Sequence, residues 1–117
     1  MRTINETIEI YVRGTRTGDV ALLKSVFHEK AVMSGDLFDM KMITDSPEHF
    51  FNDISGQQAS DSYQYGYEVL KEVKDIALVE LNERNLKNTD FVNLFQLQRV
   101  EGDWYITSKL FTSTEVI

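Results

Sequence analysis

Residues 91–111 read FVNLFQLQRVEGDWYITSKLF. Phe91, Asn93, Phe95 and Leu97 share one parity, and Glu101-Gly102-Asp103 makes a tight turn after them. Beyond the turn, Trp104, Ile106, Ser108 and Leu110 fall on one side, and Tyr105, Thr107, Lys109 and Phe111 on the other. Successive side chains of a strand point to opposite faces, so the stretch predicts two strands joined as an antiparallel hairpin. Both faces carry apolar residues, with Val92, Leu94, Tyr105 and Phe111 left over from any single core. A sheet covered on one face alternates cleanly with polar residues. The second face therefore calls for a partner, and the expectation is a homodimer through the outer sheet face. Lys109, on the parity opposite to Trp104, is expected on that dimer side or in solvent.

Upstream, the pattern stays β back to Ser62. Tyr63, Tyr65, Tyr67 and Val69 share a parity. Ala77, Val79 and Leu81 form the next strand after a turn near Lys74-Asp75, and Asn88-Thr89 lies near the following turn. The first half is helical. Thr3 and Glu6 form a capping box, and Ile4, Ile8, Tyr11 and Val12 make one apolar stripe that ends at Gly18. Asp19 caps a second helix from about Val20 to Phe27. Ala31 to Ser34 reads as a short strand, Gly35-Asp36 as a turn, and Leu37 to Thr44 as an edge strand. Ser46-Pro47 starts a third helix carrying Phe50, Phe51 and Ile54, with proline where its missing N–H costs nothing. Helices first and long strands last give an α+β class, with residues 1–117 as one domain.

Composition narrows the function. The chain has 117 residues and a formal net charge of −7. That charge argues against nucleic acid, whose phosphates call for clustered Lys and Arg, and against anionic membrane surfaces. There is no cysteine, so thiolate metal sites, disulfides and cysteine nucleophiles are excluded. MRTINETIEIYV has no unbroken apolar stretch and no small-residue cleavage site, so the expected location is the cytoplasm. Two histidines far apart, with no carboxylate at ligand spacing, predict no metal, and nothing calls for a cofactor. Gly14 to Gly18 is too short for a phosphate-binding loop. Ser34, Ser46 and Ser108 lack a paired His-Asp signature.

Two stretches carry a family resemblance. YVRGTRTGDVALLKSVFHEKA, Tyr11 to Ala31, resembles the opening of nuclear transport factor 2-like proteins: helix, Gly-Asp turn, helix, Phe-His, strand. Phe91 to Phe111 resembles the ending of one branch of that superfamily, the putative lumazine-binding family. Together they span nearly the whole chain. The resemblance implies a cone-shaped fold, three helices packed on a curved antiparallel sheet, usually dimeric, with a pocket between the sheet's concave face and the helices. It does not imply a function, because that superfamily holds enzymes, carriers and adaptors.

Ketosteroid isomerase, an enzyme of this fold, needs a carboxylate base and an oxyanion hole containing a tyrosine. Aligned on Gly18-Asp19, Tyr11 falls on that tyrosine, and the catalytic base falls on Gly35, which cannot take a proton. Asp36 is adjacent but should be solvated and points to the other face of a strand. His28, at the end of the second helix, suits the helix's negative end, and His49 is expected to be exposed. Asn93 stands where the related branch typically has an aspartate. Its amide could orient a ligand by donating and accepting, or it satisfies Tyr11 or a backbone group.

No catalytic residue is assigned. The expected activity is binding of an unidentified small molecule in a mostly apolar pocket lined by Tyr11, Phe27, Met33, Phe50, Ile54, Tyr65, Asn93 and Trp104. The alternatives are an isomerase or dehydratase of a hydrophobic substrate, using Tyr11 with His28 or Asp36, and an interaction module whose cone is filled by its own aromatics.

Overall fold

The computed structural model describes residues 1–116; Ile117, the last residue of the expected domain, lies outside them. Three helices, α1 (Ile4–Thr17), α2 (Val20–Val26) and α3 (Glu48–Ile54), pack against six strands. The strands are β1 (Phe27–Leu37), β2 (Met40–Asp45), β3 (Gln64–Val73), β4 (Ile76–Leu86), β5 (Thr89–Val100) and β6 (Asp103–Val116). Their order in the sheet is β2-β1-β6-β5-β4-β3. The class is α+β, as expected, and β2 is indeed an edge.

The helix ends form where the residues place them. In the capping box of α1, the Thr3 hydroxyl accepts from the Glu6 N–H and the Glu6 carboxylate accepts from the Thr3 N–H. Gly18 closes α1 at φ 68°. A Cβ there would also lie 2.4 Å from the Gln57 nitrogen, so glycine allows the loop after α3 to pass against this corner. Asp19 caps α2 by accepting from the Leu22 N–H.

Several expectations need correction. The sheet is mixed, because β1 lies parallel to β6. The chain reaches β6 from β1 only after α3 and the whole β3–β5 meander, so no hairpin constrains their relative direction. The first strand is longer than Ala31 to Ser34, starting at Phe27 and ending at Leu37. Gly35-Asp36 is not a turn: both residues pair with β2 on one side and β6 on the other. The turn is at Phe38-Asp39, both at positive φ, and the second strand runs Met40 to Asp45 rather than from Leu37. Pro47 sits one residue before the first helical residue of α3, and the Ser46 hydroxyl accepts only a long 3.4 Å contact from the Glu48 N–H.

A further correction concerns β6. Leu97 pairs with Ile106 but Gln96 pairs with Ser108, so Thr107 is one residue too many for its partner strand. Such a bulge resets the alternation. The carbonyl of Gln96 accepts from the Thr107 hydroxyl at 3.1 Å. Before the bulge Trp104 and Ile106 point to the core; after it Lys109 and Phe111 do, and Leu110 turns outward.

The core is the space between the helices and the inner sheet face. Ile8, Val12, Leu23 and Val26 from the helices meet Val79, Leu81, Phe95, Leu97 and Ile106 from the sheet. Tyr11 lies at its centre, 4.9 Å from Phe95 and 5.8 Å from Phe50 between ring centroids. Burying such aromatic bodies stabilises the fold through area and through favourable edge and offset contacts.

Candidate functional site

A cavity of about 200 Å³ opens where the inner face of the sheet meets α3. Met33 and Leu37 of β1, Met42 of β2, Phe50 and Ile54 of α3, Phe91 of β5 and Phe111 of β6 form apolar walls. Glu83, Thr89, Asn93 and Lys109 are the buried polar groups among them, and His49, Asp53 and Lys87 stand at the rim. The Lys87 ammonium donates to the Asp53 carbonyl at 2.6 Å, tying the β4–β5 hairpin to α3 across the mouth.

Lys109 is only 5% exposed. It was expected on the outer face, and the bulge at Thr107 is why it is not. Its Nζ donates to the Tyr11 hydroxyl at 2.8 Å and lies 3.5 Å from the Phe50 ring centroid. Burial pulls the amine down to about 8, with the charge of Glu83 acting in the opposite direction.

Glu83 is 2% exposed. Its two carboxylate oxygens accept from the Tyr63 hydroxyl at 2.7 Å and from the Asn93 amide at 2.8 Å. The Asn93 amide also donates to the Leu81 carbonyl at 3.2 Å. Both amide hydrogens are thereby used. Asn93 serves a backbone group, as one sequence reading had it, but its side-chain partner is Glu83 rather than Tyr11. Burial, then the neighbouring Glu83 charge, holds the hydroxyls of Tyr11 and Tyr63 well above the usual tyrosine range.

Of the eight residues expected to line a pocket, Met33, Phe50, Ile54 and Asn93 do. The other four do not. Tyr11 is fully buried behind the cavity, with Lys109 and Phe50 between it and the open space. Phe27 packs in the aromatic core, 5.4 Å from Phe51. Tyr65 lies half-buried on β3 and donates to Glu9 at 2.6 Å. Trp104, at the opposite end of β6, is core; its carbonyl accepts from the Thr7 hydroxyl and the Arg2 guanidinium, and it lines only a separate depression beside Arg2. The pocket is thus displaced toward α3, because α1 seals the region between Tyr11 and Trp104.

The groups considered as bases are placed clearly. Gly35 faces inward, and a Cβ there would lie 2.4 Å from both the ring and the carbonyl of Phe111. Phe111 therefore fills the space a carboxylate at that position would use. Asp36, on the outer face, accepts from the Lys41 ammonium at 3.1 Å. His28 is a strand residue rather than a helix end, and its Nδ1 accepts from the Lys30 N–H. Neither Asp36 nor His28 lines the cavity. His49 does, at the exposed rim, with its Nε2 3.6 Å from Asp45.

Among the polar site residues, Glu83 was not singled out in the sequence and Lys109 was assigned to the wrong face. Glu83 had a signal, since it continues the parity of Ala77, Val79 and Leu81. Lys109 had none, because strict alternation puts it outside.

The sequence of residues 1–112 matches the model of the family described as "Putative lumazine-binding". The chain belongs to that family. No curated protein matches it. Among solved structures, an NTF2-like protein of unknown function from Shewanella baltica is 21% identical, with 96% of this chain and 91% of that one covered at a TM-score of 0.87. One from Methylobacillus flagellatus is also 21% identical, covering 96% and 90% at a TM-score of 0.87. A ketosteroid isomerase-like protein from Erwinia carotovora atroseptica is 14% identical, covering 96% and 94% at 0.70. At such identities the likeness concerns the fold. Lumazine-binding family membership and these neighbours together place the chain in the nuclear transport factor 2-like superfamily. Among the described residues no helix is long and apolar enough to cross a membrane.

Proposed function

We propose that this member of the lumazine-binding family is a carrier or sensor that holds one compact, mostly apolar molecule in the cavity beneath α3. The observation that supports this most is the convergence of four buried polar side chains, Glu83, Thr89, Asn93 and Lys109, on a mostly apolar cavity of about 200 Å³. Apolar walls with a few placed polar groups are the usual form of a ligand site. An engineered cavity of about 150 Å³ accepts benzene, so the space here suits one ring with a substituent. The cavity also weighs against a cone filled by its own aromatics.

The isomerase or dehydratase reading keeps some support, because Glu83 and Lys109 are titratable groups in the cavity wall. It has lost the bases first considered for it, His28 and Asp36. We also propose pairing of two copies through the outer sheet face, where Val32 and Leu110 are 39% and 48% exposed.

Native mass spectrometry of the purified protein addresses both proposals. The expected spectrum shows a dimer whose subunits shed a small molecule on gentle activation. Bare subunits that also fail to gain thermal stability from any small aromatic compound would remove the binding proposal. A monomer at tens of micromolar would remove the pairing.

A further inference from the structure

Lys109 is the one buried amine in the cavity wall, and its surroundings are unusual for a lysine. A buried ammonium is normally matched by a carboxylate, because an unpaired charge is costly to desolvate. Among the described residues no carboxylate stands within ion-pair distance of its Nζ. The group instead has the Tyr11 hydroxyl at 2.8 Å and the rings of Phe50 and Phe111 at 3.5 and 5.4 Å. Nearby Glu83 is already occupied by Tyr63 and Asn93.

Building on the cavity as a ligand site, we propose that Lys109 captures its ligand covalently, condensing with the carbonyl group of an uncharged, apolar aldehyde or ketone to form a reversible imine. Desolvation in an apolar pocket is a recognised way to make a lysine nucleophilic. An amine titrating near 8 is about half neutral at pH 8, whereas a lysine at its ordinary 10.5 is neutral to less than about one part in a hundred. The neutral Nζ attacks the carbonyl carbon, and the carbonyl π electrons move to oxygen, which takes up a proton. The proton that oxygen takes up is the one nitrogen gives up on forming the carbinolamine, whose hydroxyl then leaves together with the remaining nitrogen proton as one water, leaving the C=N bond. No oxidant or reductant is needed. The Tyr11 hydroxyl, beside Nζ, is placed to pass the protons. The charge of Glu83 disfavours anionic carbonyl compounds such as keto acids, while Met33, Phe50 and Phe111 favour a flat apolar body.

The test is reductive trapping of the full chain. Protein is mixed with equimolar benzaldehyde at pH 8, sodium borohydride converts any imine to a stable benzylamine, and peptides are mapped by mass spectrometry. The expected result is a benzyl adduct on Lys109 at least tenfold more abundant than on any other lysine, and absent in Lys109→Arg. The wild-type map stands alone, so a misfolded variant does not blur the answer. Adducts spread evenly over the lysines, or none on Lys109, would overturn the proposal. Benzyl alcohol, which has the same ring without the carbonyl, separates the two levels. If it raises the melting temperature while benzaldehyde leaves no adduct on Lys109, covalent capture fails and the cavity reading stands. If neither compound shifts the melting temperature and no adduct forms, both fall.

Discussion

The two halves of β6 obey the same alternation and yet do different things. From Trp104 to Ile106 the inward side chains are large, apolar and sealed under α1. From Lys109 to Phe111 they border a cavity, and one of them is an amine. The residue that separates the halves is Thr107, one more than the partner strand can match. A bulge of this kind re-aims every side chain that follows it. In this chain it moves a lysine from solvent to the interior, and a leucine from the interior to the outer face. The lesson is that a single unpaired residue can convert a core strand into a site strand.

The largest expected effect comes from the sealed half. Ile106 is fully buried, so Ile106→Ala should cost about 2–5 kcal/mol in urea denaturation, from lost burial and a void that cannot collapse. Phe111→Leu, in the cavity half, should cost less than about 1.5 kcal/mol because open space already lies beside it. Equal losses at the two positions would erase the distinction between the halves.

Next in size is the pH dependence set by Lys109. Its folded value, about 8, lies below the ordinary 10.5. Between those values the unfolded chain binds more protons than the folded one, so stability should rise with pH. Below pH 8 the cost of the buried charge is fully present. Above pH 10 Tyr11 and Tyr63, held high in the fold, act in the opposite direction, since the unfolded chain then loses their protons first. The clean window is therefore pH 8 to 10, where the gain should be on the order of 2 kcal/mol. Lys109→Met should flatten it. An unchanged slope in that variant would mean that the amine is not desolvated.

An effect of the same order is expected where β1 meets the cavity half of β6. Gly35→Ala should cost about 2 kcal/mol, because the added methyl meets the Phe111 ring and carbonyl. Combining it with Phe111→Ala should recover only the ring's share in a double-mutant cycle, leaving the backbone contact. Full additivity would show that Phe111 does not hold this position closed to a carboxylate.

Much of this was legible along the chain. The capping box at Thr3, the left-handed stop at Gly18 and the cap at Asp19 are local chemistry, settled by neighbours within a few residues. The inward parities of Val79 and Leu81, and of Asn93 and Phe95, are equally local, since a strand alternates whatever it packs against. Membership of the lumazine-binding family was readable from the two ends of the chain. Half of the expected pocket residues line the cavity: Met33, Phe50, Ile54 and Asn93 sit on elements that the sequence pattern located, even where it misplaced their ends.

What only the tertiary structure decided depends on contacts between residues distant in sequence. The parallel pairing of β1 with β6 joins strands separated by most of the chain. Gly35 reads as a turn until Phe111 is seen lying across it. Tyr11 reads as pocket-lining until Lys109 is found between it and the cavity. Lys109 itself reads as a surface lysine, because alternation is a property of one strand and a bulge is a property of two. The sequence by itself determined the helices, the β3–β6 hairpins, the α+β class and the inward faces as far as Ile106. Register between β5 and β6, which no residue on either strand declares alone, decided which charged group the cavity would hold.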